Sequence, residues 1–463
     1  MLFNWKGDQL PKLSHWARIA LISFSVWLLL SCLSPIISTS EESPSDLFDE
    51  VWKTVNENFY DRDFNGLDWK AIKDQYEPQA ESAKSTEEVA VVINQMLSEL
   101  QTSHTHLYTQ SEPAYYQLLG IFEGFTELQK KLKKFLPNGK LEYSGIGAFT
   151  QEIEGKTFVS AILDDSPATK AGLEVGDELL EVDGKPYQPI RSFQDKAGQK
   201  VKLLLQRTGN SSKKKTISLQ PKIYDATRMF LEAQQASVDI IAKNDKKIGY
   251  IHIWSRVGGD RDLRQFEEEL IYGRLKEADG LILDLRDGWG GVSMGYLLLF
   301  TGKSPNILNI DRDGSRNSID YAWKKPVVAL VNQGTRSAKE ILAFGFQQYK
   351  IGTVIGSKTA GAVVAGRPFL MKDGSLLYLA VVDVSVDGER LEGKGITPDA
   401  IVPSPLPYAQ GADPQKERAI EVVLGMGSVG GVGTVTSYQL PVTSYQLPVT
   451  LRCEEPLGFP NQL

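Results

Sequence analysis

A chain of 463 residues is longer than one hydrophobic core usually serves, so two or three domains are expected. With 41% hydrophobic and 24% charged residues, its balance is that of a globular protein and not of a disordered one. The net charge of -7 argues against a general nucleic-acid binder, and the runs Lys130-Lys131-Leu-Lys133-Lys134 and Lys213-Lys214-Lys215 read as solvated faces and loops.

Lys6, Lys12 and Arg18 precede an apolar run from Ile19 to Leu30 that ends in Leu29-Leu30-Ser31-Cys32, the pattern of a secretory leader over residues 1–32. That run is short for a membrane span. It resembles a bacterial lipoprotein signal, which implies Cys32 as the lipidated mature N-terminus and the periplasmic face of a membrane as the address. A leader cleaved nearby, or kept as an anchor, is the other reading. The only other cysteine, Cys453, lies in the tail, so no internal disulfide or cysteine metal site is expected in the body.

Residues 45–137 read as helical. Leu47, Phe48, Val51, Trp52, Val55 and Phe59 form one apolar stripe; Ser85 and Glu88 form a capping box ahead of Val89, Ile93, Met96, Leu97 and Leu100. Amphipathic helices this close together predict a small helical bundle, with Ser103-His104-Thr105-His106 emerging where the last one gives way to a loop. A histidine at a helix C-terminus can simply complement the helix dipole.

From residue 143 to 223 the pattern changes to short β runs with glycine punctuation. Gly145-Ile146-Gly147-Ala148-Phe149, followed by Ser166-Pro-Ala, Ala171-Gly-Leu and Gly176-Asp177, resembles a PDZ domain, whose carboxylate loop receives a peptide C-terminus while the peptide adds as a strand. The resemblance implies that Gly145, Ile146, Gly147, Ala148 and Phe149 bind the peptide.

Residues 224–405 alternate strand and helix, predicting an α/β layered sheet. Ile248 to Trp254 alternates as a strand, Asp262 to Leu275 reads as a helix, and Gly280-Leu-Ile-Leu-Asp284-Leu is a buried strand running into Arg286-Asp-Gly-Trp-Gly290-Gly291. The apolar strand Pro326-Val-Val-Ala-Leu-Val331 then enters Asn332-Gln-Gly-Thr-Arg-Ser337-Ala-Lys-Glu-Ile-Leu-Ala343, where a helix begins. Two readings meet at Ser337. With Glu340 it satisfies a capping box; equally, its hydroxyl projects from a rigid corner beside unpaired helix N–H groups, where a nucleophile and an oxyanion site can share space. Residues 410–463, with a glycine-rich run and a tandem repeat of Thr436-Ser-Tyr-Gln-Leu-Pro-Val442, read as a disordered, dispensable tail.

Taken in order, Ser103-His104-Thr105, the PDZ pattern, Asp284-Leu-Arg286 with Gly290-Gly291, the Ser337 turn, Gly356-Ser-Lys-Thr-Ala-Gly361 and Gly393-Lys-Gly-Ile-Thr-Pro-Asp399 resemble the C-terminal-processing (tail-specific) serine peptidases over residues 45 to 405. The resemblance implies a crotonase-like α/β catalytic domain and a serine endopeptidase acting on exported proteins or peptides, with no metal or organic cofactor. Processing peptidases carry a general-base lysine where this chain has Ala362, and neither Lys358 nor Lys339 matches it. The chain is closer to the branch typified by the tricorn protease core, which implies a Ser/His/Glu system of Ser337, His104 and Glu392, with Ser103 beside the histidine. By the same resemblance the Ala338 N–H and one from Gly290 or Gly291 hold the oxyanion. An unperturbed imidazole near 6.5 would make activity rise through mildly acidic pH. The alternative is a catalytically inactive ligand-binding or PDZ scaffold protein, since interphotoreceptor retinoid-binding proteins use this fold to bind ligands.

Overall fold

The computed structural model describes residues 44–136, 139–210, 213–301, 306–320 and 322–428. The leader with Cys32, the glycine-rich run and the repeat lie outside the described residues. Among those described, no helix is long and apolar enough to cross a membrane.

Helices α1 (Pro44–Asn58), α2 (Trp69–Ser82) and α3 (Thr86–Ser98) pack together through the predicted stripes, with Leu47, Val51, Val55, Val89, Ile93 and Leu97 all buried. Local chemistry sets the helix starts. Asp68 accepts from the N–H groups of Lys70 and Ala71 at 3.1 and 3.0 Å, and the Ser85 hydroxyl accepts from Glu88 N–H at 3.1 Å. The carboxylate half of that box is shifted by one residue, since Glu88 takes the N–H of Lys84.

After α3 the chain crosses to strand β1 (His106–Tyr108) and helix α4 (Pro113–Ile121). The PDZ region follows as strands β2 (Ala148–Ile153), β3 (Lys156–Ile162), β4 (Glu178–Val182), β5 (Val201–Gln206) and β6 (Lys214–Leu219), in that spatial order and antiparallel throughout.

The last region is built on a sheet whose order is β7 (Asp239–Lys243), β8 (Lys246–His252), β9 (Gly280–Asp284), β10 (Val327–Val331), β11 (Thr353–Gly356) and β14 (Ala400–Ile401), parallel except for the β7–β8 pair. Strand alternation sorts its two faces. Val327, Ala329 and Val331 pack with α5 (Arg261–Ile271), α6 (Gly295–Phe300) and α7 (Ala338–Gln348), whereas Val328 and Leu330 pack with α8 (Pro414–Ser428). Helix α5 stops at Ile271, short of the expected Leu275, and a 3₁₀ turn at Arg274–Glu277 completes the connection.

Between β11 and β14 the chain leaves the sheet to form the hairpin β12 (Ala365–Leu370) and β13 (Leu376–Val382). β1 adds to this hairpin, pairing His106 with Tyr378, so the segment after α3 is fastened to the α/β region by backbone hydrogen bonds. A shared core completes the join: Tyr108 and Leu118, Ala161 and Leu163, and Trp254, Trp289 and Tyr378 all belong to one buried cluster.

Helix α8 corrects the reading of residues from 410 onward as disordered. Ala419, Val422 and Val423 bury against the sheet, and an ion-pair network anchors the helix start. Asp284 at the end of β9 is fully buried and takes the Arg286 guanidinium at 2.6 Å, which also reaches Asp413 at 2.8 Å. The Tyr250 hydroxyl donates a further bond to Asp284 at 2.8 Å. Burial alone would push the Asp284 carboxyl up, but the charge and hydrogen bonds of Arg286 hold it well below the usual carboxylate range. The Asp284-Leu-Arg286 motif is thus structural. Arg286→Met would leave a buried carboxylate unpaired and should destabilise the chain by about 3–5 kcal/mol, seen as an earlier denaturant midpoint. An unchanged midpoint would show that the network is dispensable.

Candidate active site

Ser337 stands on the turn between β10 and α7. Thr335 and Asn332 shape that turn: the Thr335 hydroxyl donates to Leu285 O at 2.9 Å, and Asn332 Oδ1 accepts from Gly334 and Asp287 N–H groups at 2.9 and 3.1 Å. Ser337 itself has φ 57° and ψ -132°, a conformation L-residues rarely adopt, so the corner costs on the order of 1–3 kcal/mol. Its N–H donates to Ala362 O at 2.8 Å and to Glu340 Oε2 at 3.1 Å.

The buried Glu340 carboxylate also gathers the Thr359 hydroxyl at 2.5 Å and the N–H groups of Gly361 and Ala362 at 2.7 Å each. Ser337 and Glu340 form a capping box, in which the Glu340 carboxylate takes the Ser337 N–H and the Glu340 N–H also reaches Ser337 O at 2.8 Å.

Of the two glycines, Gly290 is the one against the serine. A Cβ there would come within 2.4 Å of Ser337 Cβ and 2.9 Å of its Oγ, whereas one on Gly291 would meet the Arg256 side chain at 3.3 Å. Lys339 points underneath this loop. Its ammonium is buried and donates to the carbonyls of Trp254 at 3.2 Å, Ile253 at 3.3 Å, Arg286 at 3.4 Å and Asp287, with burial lowering its pKa to about 7. Lys358 is exposed. Ala362 is buried and offers its backbone to Ser337 and Glu340.

His104 lies beyond the end of α3, so the helix-dipole explanation does not apply. Glu392, just before the Gly-Lys-Gly-Ile-Thr-Pro-Asp segment, accepts from Ser103 N–H at 2.8 Å, from the Ser103 hydroxyl at 3.0 Å and from Val363 N–H at 2.6 Å. Ser103 Oγ lies 2.9 Å from His104 Nδ1. A carboxylate can only accept, so the Ser103 proton points to Glu392 and its lone pair takes the Nδ1–H. That logic leaves Nε2 of a neutral His104 as the free base position.

Burial first, and the nearby Arg336 charge second, lower the His104 pKa to about 3. Burial thus moves this ring below the unperturbed value near 6.5. The structure brings Ser103, His104 and Glu392 together and ties them to Ser337 through Ala362 and Val363. Among the described residues, no hydrogen bond joins His104 to the Ser337 hydroxyl. His106 contacts Asn94 at 3.2 Å, and His252 contacts Arg286 O at 2.9 Å, both structural places.

A depression elsewhere is lined by Ile146, Gly147, Phe149, Leu163, Tyr187 and Gln117. Gly147, at φ 78°, has no room for a side chain: a Cβ would sit 2.2 Å from the Tyr224 hydroxyl. Gln117 bridges the two sites, donating to the Tyr143 hydroxyl at 3.1 Å and accepting from Trp289 Nε1 at 2.8 Å, next to Gly290. Neither Gln117 nor Arg336, which lies over the Trp289 ring at 5.0 Å, stands out in the sequence. Arg336 had one available signal, its position immediately before Ser337.

Three family models match in one order: the tricorn protease C1 domain over residues 40–98, a PDZ domain over 158–207 and peptidase family S41 over 247–402. The chain is 26% identical over 402 residues to a carboxyl-terminal-processing protease of Synechocystis sp., covering 81% of this chain and 86% of that protein. It is 26% identical over 407 residues to the tricorn protease of Thermoplasma volcanium, covering 84% of this chain but 37% of that protein, so it spans about a third of that relative's length. Solved structures include a photosystem II D1 C-terminal processing protease at TM-score 0.46 and 20% identity, covering 81% of this chain and 98% of that one. The tricorn protease crystal structure gives 0.48 and 21%, covering 83% and 37%. With an S41 domain that contains Ser337, a PDZ domain ahead of it and a tricorn C1 segment ahead of both, the chain is a serine-type peptidase.

Proposed function

We propose that the chain is an exported endopeptidase of the branch lacking the family lysine, working through Ser337, His104 and Glu392. The hydrogen-bond chain from Glu392 through Ser103 to His104 Nδ1 carries this reading, because it presents Nε2 as an acceptor and places a carboxylate behind the ring. Ser337 Oγ attacks the substrate carbonyl while His104 Nε2 takes its proton, and Glu392 offsets the imidazolium charge through Ser103. The tetrahedral oxyanion receives the Ala338 N–H, one of the donors a helix start leaves unpaired, and the Gly290 N–H. His104 then returns the proton to the leaving amine, and water releases the acyl group by the same steps in reverse. Hydrogen bonds at such sites are often long before substrate binds, which accommodates the open His104–Ser337 pair.

The PDZ depression at Gly145–Phe149 is proposed to hold a substrate C-terminus. The same reading takes residues 45–137 as a helical bundle, 143–223 as the PDZ domain and 224–405 as a crotonase-like catalytic domain. A lipoprotein leader would place the enzyme on the periplasmic face of a membrane through Cys32. Retention of the leader on the mature chain would count against that address.

His104→Ala should lower kcat by at least roughly 10⁴-fold, and Glu392→Gln by less because it acts through Ser103. Full activity in His104→Ala would remove the histidine mechanism. With His104 held to about 3 by burial and Arg336, the base is already neutral above that value, so kcat/KM should be flat from about pH 5 to 8. A pKa below the unfolded value of about 6.5 contributes stability that is present above 6.5 and lost as pH falls toward 3, so acid inactivation should track unfolding. A rise in kcat/KM that continues into alkaline pH would indicate a lysine base instead. For the PDZ site, amidating the C-terminus of an apolar-ended peptide should weaken its binding; equal affinity would remove tail recognition and leave catalysis untouched.

A further inference from the structure

Arg336, the residue before the nucleophile, is only 8% exposed, and among the described residues its guanidinium makes no hydrogen bond and no ion pair. Other arginines drawn into the protein are paired: Arg286 with Asp284 and Asp413, Arg207 with Asp177 and Glu174, Arg261 with Glu123. What Arg336 has is the Trp289 ring, 5.0 Å from its central carbon. A ring face returns less than desolvating an unpaired guanidinium costs, so the stack alone does not account for the placement.

Its nitrogens are also not sealed. Arg256 Nε is a buried nitrogen without a hydrogen bond, and no Arg336 atom shares that condition, so its unbonded donors can still be reached. Its charge acts on His104, His106, Tyr108, Tyr378 and Lys339. A planar fork of unbonded donors, stacked on Trp289 and one residue before Ser337, is the arrangement that takes a carboxylate through two parallel bonds.

We propose that Arg336 is a carboxylate receptor in the substrate site, so that the peptidase selects peptides presenting a carboxylate beside the bond to be cut. The carboxylate is an Asp or Glu side chain or the substrate's own C-terminus. This rests on the peptidase reading of Ser337. Filling the receptor also neutralises the charge that disfavours a proton on His104, so a matching substrate would strengthen the base as it binds.

The test uses peptides identical except for Glu, Gln or Lys beside the scissile bond, with amidated C-termini. A further pair without acidic residues differs only in a free or amidated C-terminus. Binding is measured on Ser337→Ala, and kcat/KM on the active chain. Glu should be preferred over Gln by at least tenfold in both, Arg336→Gln should erase that ratio, and Arg336→Glu should move the preference to Lys. Preference for the free C-terminus that disappears in Arg336→Gln assigns the receptor to the terminal carboxylate; preference that survives belongs to the PDZ domain.

Equal binding and cleavage of the whole panel by the unsubstituted site would overturn the proposal, without reliance on any Arg336 variant. So would an Arg336→Gln enzyme that slows every peptide by one factor, which would mark the guanidinium as an oxyanion donor. Glu-selective binding with no cleavage of any peptide would sink the peptidase reading and leave the receptor standing.

Discussion

The Glu392 carboxylate holds together three stretches that are far apart in the chain. It accepts from the backbone and hydroxyl of Ser103 and from the N–H of Val363. Without those bonds a buried carboxylate would be costly, so its placement obliges the loop after α3 to meet the loop after β11. β1 fastens the same loop by pairing with β13, which leaves His104 little freedom except to stand with Nδ1 on Ser103. Catalytic polarity in the proposed mechanism is therefore a by-product of satisfying one buried acid.

A second buried acid performs the matching task on the other side. Glu340 collects three donors from the Thr359–Ala362 loop together with the Ser337 N–H, and so supports a backbone conformation that would otherwise relax. Beneath the adjoining loop, the Lys339 ammonium gathers carbonyls that point inward. The Ser337 turn, the glycine loop and the His104 loop are thus each tied by a buried charge. Shared carbonyls and amides, more than apolar contact, keep them in register.

Much of this was legible in the sequence because it is local. The apolar run ending at Val331 and the helix after Ser337 follow from periodicity, whereas Ser103, His104 and Glu392 were singled out by the family resemblance alone. Other features depend on where distant residues land. The His104 pKa is set by burial and by Arg336, neither visible in a stretch that reads Ser-His-Thr-His. Helix α8 was hidden because Ala419, Val422 and Val423 become a core only once β9 and β10 lie against them. Gln117 reads as one polar residue in an apolar helix until Tyr143 and Trp289 close around its amide. The Asp284-Leu-Arg286 motif was read as a landmark of the family resemblance, and in the structure it anchors α8.

The claim that Glu392 prepares His104, and His104 prepares Ser337, is most directly measured by the rate at which a fluorophosphonate modifies Ser337, located by mass spectrometry of the digested protein. Modification should be confined to Ser337 and should slow by at least roughly tenfold in Glu392→Gln with the fold intact by thermal unfolding. An unmodified Ser337, or an equal rate in folded Glu392→Gln, would contradict it.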